Sequence, residues 1–243
     1  MKVLPLVLAQ CLSVLLVAPL TTYASRHATE QRWRYIRSVI TVFFVSIICL
    51  ALPFEFRILW LGHANWVGKV LSIFASYILI TKWPAAAPAR QYLTFKQRAH
   101  SWRISVVCIA LLILEQSISI VLNSQQWVWP KIEYLLFEAS MPGLDEEMVF
   151  RAGILACLIA ACGNNSKHRR SPLVWPMLIT SILFGLVHAL NLDPHFHLHF
   201  DISTFLDTAT FGLIIAALAV NSRSILLPVI VHNLLNVLAF FRS

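Results

Sequence analysis

Eight stretches of the chain are apolar over roughly the length a membrane requires. They run at 3–22, 38–54, 66–82, 103–122, 144–162, 173–191, 203–220 and 224–241, each close to the 17–25 or so residues that carry a helix across the hydrocarbon core. Backbone in lipid must satisfy its hydrogen bonds internally, and for single runs of this length the helix does so. Composition agrees, with 12% charged residues and a mean hydropathy of +0.74, where soluble domains carry about a quarter charged residues. The expected fold is all-α, a polytopic bundle of about eight transmembrane helices in one integrated membrane domain.

The formal charge of +8 reads as a topology signal rather than as a nucleic-acid surface, and no nucleic acid is expected as a partner. Arg26, Arg32, Arg34 and Arg37 occupy one loop, and Lys82, Arg90, Lys96, Arg98 and Arg103 another. Lys167, Arg169 and Arg170 follow in a third, and Arg223 in a fourth. These are alternate loops and hold thirteen of the nineteen Lys and Arg residues. That is the bias of cytoplasmic loops under the positive-inside rule. The intervening loops carry Glu55, Glu133, Glu138, Asp193 and Asp201. Both termini are therefore expected outside. Met1-Lys2, an apolar run and Thr22-Tyr23-Ala24 resemble a cleavable signal peptide, but cleavage would put the next arginine-rich stretch on the outer face. A retained first helix fits the charge bias better.

The five cysteines, Cys11, Cys49, Cys108, Cys157 and Cys162, all lie in apolar runs without a C-x-x-C pair, so they read as packing residues. Residues 83–89, Trp-Pro-Ala-Ala-Ala-Pro-Ala, are expected to form an extended linker. Lys131 to Ser140, with Ile132, Leu135, Leu136 and Phe137, suits a short amphipathic helix at the interface. Pro142-Gly143 should end it before the next spanning helix.

Ionisable groups inside a membrane helix cost at least about 2.5–3.5 kcal/mol each, and three constellations stand out. In Asp145-Glu146-Glu147-Met148-Val149-Phe150-Arg151, three acids face the positive end of a helix macrodipole. Glu147 and Arg151 are four apart and can pair. Glu146, about 100° round the helix, is left free for another role, although a charge-balanced helix start would read the same way. Phe184-Gly185-Leu186-Val187-His188 ends one helix. In His232-Asn233-Leu234-Leu235-Asn236, His232 and Asn236 share a face, an arrangement that also serves helix–helix hydrogen bonding. With the topology above, all three constellations fall at one depth.

Together these motifs resemble those of the CAAX protease and bacteriocin-processing family of glutamic-type intramembrane proteases, related to the Ras-converting CAAX endopeptidase. The resemblance covers residues 130–243 as a catalytic membrane core, and the helices of 1–129 carry no recognised motif. It implies that Glu146 is the catalytic glutamate, that His188 shares activation of a water, and that His232 and Asn236 form an oxyanion hole. Glu147, Arg151 and Phe184 would be supporting residues. The implied function is an intramembrane endopeptidase that cuts near the C-terminus of a membrane-anchored or exported protein, with that protein and the lipid bilayer as its partners. The expected place is a bacterial inner membrane, and the charge bias, unlike the resemblance, puts the site towards the outer side. That placement argues against a cytosolic prenylated tail and for a role in protein sorting.

No cofactor is expected. Zinc is an alternative, with Glu146, Glu147, His188 and His232 as possible ligands and His195, His197 and His199 as metal candidates in the loop 193–201. No pair of ligands on one helix of the H-E-x-x-H type supports it. A non-catalytic membrane protein (an immunity factor, a scaffold or a transporter) is the other alternative, because Glu115 and Asp207 are intramembrane acids that could line a path.

Overall fold

The computed structural model describes residues 3–24, 30–56, 62–122, 129, 131–162 and 173–241. Through these the chain forms α1 (Val3–Ala24), α2 (Glu30–Phe56), α3 (Trp66–Lys82), α4 (Trp102–Leu122), α5 (Ile132–Glu138) and α6 (Met141–Glu147). It continues with α7 (Ala156–Cys162), α8 (Val174–Ala189), a hairpin of β1 (Leu190–Leu192) and β2 (Leu198–Phe200), α9 (Ile202–Ser222) and α10 (Leu226–Phe240). The fold is an all-α membrane bundle. Among the described residues, Leu4–Ala24, Glu30–Pro53 and Ile202–Ser222 are long and apolar enough to cross a membrane alone. Trp66–Lys82 and Pro84–Gln91, bent by 105° at the break between them, make a fourth if the pair is one broken span rather than a re-entrant loop. Val174–Ala189 and Leu226–Phe240 are apolar but shorter, so each of the eight apolar runs has a helix while not each is a span by length. Arg26, Lys167, Arg169 and Arg170 of the basic loops, Met1-Lys2 and the side chain of Glu55 lie outside the described residues.

Two local expectations are corrected. Residues 84–91 form a 3-10 helix instead of an extended linker. Proline at the first helical position has the right φ and no N–H to lose, and burial of Ala86 and Ala89 holds the turn against its neighbours. The helix carrying the acids starts at Met141 with Pro142 inside its first turn, so Asp145, Glu146 and Glu147 lie beyond the first turn. The macrodipole falls off within that turn, and the acids need other partners. The interfacial segment does form a helix, α5.

From Met148 to Leu155 the backbone is π-helical and every residue is buried. This stretch joins α6 to α7 and packs Phe150 edge-on against Phe43, at 6.3 Å between centroids, and Phe184, at 5.0 Å. Helix α3 presents Gly68, Ser72, Ser76 and Ile80, four apart and all buried, a small-residue face that lets membrane helices approach closely. Ser72 and Ser46 of α2 share a hydroxyl hydrogen bond of 2.7 Å. Asn65 caps α3 by accepting from the Gly68 N–H at 3.2 Å and donates to the Leu50 carbonyl at 3.0 Å.

The contact that sets α6 against α10 is made by Asn233. The third N–H of a helix has no partner within the helix; in α6 it belongs to Gly143, and it donates to Asn233 Oδ1 at 2.7 Å. Asn233 Nδ2 donates in turn to the Ser140 carbonyl at 3.3 Å. Only glycine fits there, since a Cβ on Gly143 would lie 2.5 Å from Asn233 Oδ1 and 3.0 Å from the Val229 carbonyl. Asn233→Ala, which leaves the buried Gly143 N–H unmet, is expected to cost about 1–3 kcal/mol. Gly143→Ala should cost a similar amount through overpacking. Thermal unfolding in detergent checks both. Unchanged midpoints would mean that α6 and α10 are held by other contacts.

Candidate active site

The last turn of α6 delivers three consecutive carboxylates to three different environments. Glu147 is fully buried. Its Oε1 accepts from Nδ1 of His232 on α10 at 2.7 Å, and its Oε2 lies 3.1 Å from Nε of Arg151. Arg151 is also fully buried, its guanidinium 4.8 Å above the Phe184 ring and 5.8 Å from that of Phe150. A buried cation is tolerable when a carboxylate and aromatic faces replace the lost water. Phe184 thus walls the ion pair on one side and the cavity on the other.

Glu146 turns the other way, towards that cavity. Its two oxygens are divided between partners. Oε1 accepts from Lys69 Nζ at 2.8 Å, and the same ammonium reaches Asp145 Oδ2 at 2.9 Å. Oε2 lies 3.8 Å from His188 Nε2 and 3.7 Å from His232 Nε2. His188 Nδ1 is 2.8 Å from the Phe184 carbonyl; a carbonyl only accepts, so Nδ1 carries the proton and the neutral ring offers a lone pair at Nε2. With that ring neutral, two acceptors face each other across 3.8 Å. That is too far for a direct hydrogen bond and close enough for both to reach one water.

The cavity holds about 400 Å³ and is lined by Glu146, Phe184, His188, His232 and Asn236. Asn236 Nδ2 donates to Glu138 Oε2 at 3.1 Å, which brings the end of α5 to the site. Glu115 of α4 and Asp207 of α9 also line it. Of the residues singled out in the sequence, Glu146, His188, His232, Asn236 and Phe184 share this cavity, and Glu147 and Arg151 lie directly behind it.

The histidine segment sits elsewhere, in the β1–β2 hairpin. The turn is organised by Asp193, which accepts from the backbone N–H groups of His195 at 2.7 Å and His197 at 2.9 Å. The hydrogen bond from the His197 N–H, with others from its ring and the His195 N–H, holds the Asp193 carboxyl down to about 2. His197 Nδ1 and His199 Nε2 lie 3.0 and 3.6 Å from Asp193 Oδ2. Phe196 takes the left-handed conformation, φ 64°, and its backbone closes the turn by donating to the Asp193 carbonyl at 2.9 Å. Among the described residues, no group of three or more His, Cys, Asp or Glu side chains is arranged to hold a metal ion.

Lys69, Glu138 and Asn233 were not singled out from the sequence. A lone lysine within an apolar run was a usable signal for Lys69, because a charge at that depth requires a partner. Glu138 and Asn233 lie next to recognised motifs, but nothing in their spacing identifies their contacts.

Residues 127–238 match the family model described as type II CAAX prenyl endopeptidase, Rce1-like. Comparison with curated proteins and with solved structures gave no match. The matched segment contains every one of Glu146, Glu147, Arg151, His188, His232 and Asn236, and over it this chain is similar to the type II CAAX prenyl endopeptidases.

Proposed function

We propose that the protein hydrolyses a peptide bond near the C-terminus of a membrane-anchored or exported protein, using a water held between Glu146 and His188. The observation that carries this reading is the pair of facing acceptors, Glu146 Oε2 and His188 Nε2, 3.8 Å apart on the wall of the cavity. A water between them donates one hydrogen bond to each and turns a lone pair outwards. As its oxygen adds to the carbonyl carbon, one of its protons passes to Glu146. Collapse of the tetrahedral adduct breaks the C–N bond, and that proton moves to the departing amine. The products are a new carboxyl terminus and a free amino group, with no covalent enzyme intermediate and no cofactor required.

The developing oxyanion is taken by His232 and Asn236. With Nδ1 donating to Glu147, His232 can donate from Nε2 only as the imidazolium. Asn236 keeps one amide N–H beyond the one given to Glu138. Loss of a single such donor costs about 2.7–4 kcal/mol in other hydrolases. Glu147 and Arg151 hold His232 in place without touching substrate.

This assignment separates two kinds of variant. Glu146→Gln keeps the shape of the site and is expected to remove cleavage while folded yield stays near wild type. Arg151→Ala strands a buried carboxylate and should cost about 3–5 kcal/mol of stability, read as lost yield. C-terminal proteomics of cells carrying wild type or Glu146→Gln identifies the substrates as the ends that disappear. If Glu146→Gln cells keep the same ends, the assignment of Glu146 as the base is wrong.

Charge bias orients the site. Each basic residue near an anionic inner leaflet gains about 1 kcal/mol, and the bias recurs in four loops, which puts Glu146 and the β1–β2 hairpin towards the outer side of a bacterial inner membrane. Exported or membrane-anchored chains reach that side, whereas a cytosolic prenylated tail does not. Phe95, 76% exposed in a basic loop, and Leu198, 53% exposed in the hairpin, serve as reporters. In a background lacking the five native cysteines, Leu198→Cys should react with an impermeant thiol reagent in intact cells and Phe95→Cys should not. The reverse pattern would invert the topology and make a prenylated tail the preferred substrate.

A further inference from the structure

Lys69 has no place in the mechanism above and lies outside the segment 127–238 that matches the family model. It is nonetheless the nearest charged neighbour of Glu146, at 2.8 Å. We propose that Lys69 is a positioning residue for Glu146: its ammonium holds one carboxylate oxygen so that the other faces the water seat. The inference rests on the reading of Glu146 as the base.

The geometry supports it in three ways. A glutamate carboxylate rotates in a broad, roughly two-fold well about its last torsion, so an unpinned Glu146 would present either oxygen, at variable angles, to His188. Lys69 takes Oε1 and leaves Oε2 between the Nε2 atoms of His188 and His232, at 3.8 and 3.7 Å. The ammonium is itself fixed. Asp145 Oδ2 binds it at 2.9 Å, its side chain is 11% exposed, and the Ser46–Ser72 contact with the Asn65 cap anchors α3 beneath it.

Charge balance supplies the third support. Asp145, Glu146 and Glu147 bring three carboxylates into one helical turn, and Lys69 and Arg151 bring two cations. Without Lys69, Asp145 and Glu146 would be adjacent carboxylates with no cation between them, and repulsion would turn Glu146 out of line.

The test uses the full-length protein in proteoliposomes and a quenched fluorescent peptide spanning a cleavage site found by the C-terminal comparison. Lys69→Met is expected to lower kcat about 100-fold, the loss that follows displacement of a reacting group by about 1 Å, with KM changed less than about threefold because substrate does not touch Lys69. In the cysteine-free background, Lys69→Cys should be equally impaired. Treatment with 2-bromoethylamine, in which the thiolate displaces bromide and restores an ammonium of lysine length, should return most of kcat. Should Lys69→Met fold poorly, the Lys69→Met/Asp145→Asn pair removes the unpaired charge. It is expected to regain yield without regaining kcat. The proposal is overturned if kcat per folded molecule stays within about threefold of wild type in Lys69→Met, or if aminoethylation returns no activity. Glu146→Gln run in parallel keeps the two readings apart. Its inactivity beside an active Lys69→Met removes only the role of Lys69, whereas an active Glu146→Gln removes the base assignment itself.

Discussion

The buried carboxylate of Glu147 is the interaction on which the site depends. It touches both the π-helical stretch, through Arg151, and α10, through His232. An uncompensated charge in a low-dielectric interior costs several kcal/mol, so Arg151 and His232 are not free to leave it. That fixes the His232 ring in tautomer and direction and brings α10 to the end of α6. Asn233, one residue further along, secures the same junction through Gly143 and Ser140. Glu146 is then projected, one residue before Glu147, into the cavity that α8 and α10 close.

The π-helical stretch has a consequence for the same region. Widening the helix by one residue per turn changes which residues share a face, and π-bulges are frequent at functional sites. Here it lies between Glu147 and α7, and all eight of its residues are buried. Phe150 within it and Phe184 on α8 form the aromatic bed over which the Arg151 guanidinium lies. The polar cavity on one side and a dry ion pair behind it are separated by one phenylalanine ring.

Much of this was legible in the sequence, for reasons that differ by residue. The pairing of Glu147 with Arg151 follows from a spacing of four, and the meeting of Glu146, His188 and His232 from motifs at matching depths on three helices. Long-range partners were not legible. Nothing in the spacing of His232 and Asn236 indicates that the first gives its Nδ1 proton to Glu147 and the second donates to Glu138. The acids looked like a helix N-terminus because Pro142-Gly143 reads as a break, yet proline is welcome in the first turn and the helix begins at Met141. Residues 84–91 looked extended because prolines dominate them, while their alanines pack into a 3-10 turn. Lys69 carried a signal as a charge within an apolar run, but its partners, 76 and 77 residues away, were not legible.

The central claim is that Glu146 and His188 act on a single water, and a double-mutant cycle on kcat tests it most directly. Groups that act as a unit are not additive, because once one is lost the other has little left to do. Glu146→Gln and His188→Ala should each reduce kcat severely, and the double variant should be no slower than the slower single one. If the two losses multiplied, the residues would be working on separate steps, and a water shared between Glu146 Oε2 and His188 Nε2 would no longer describe the chemistry.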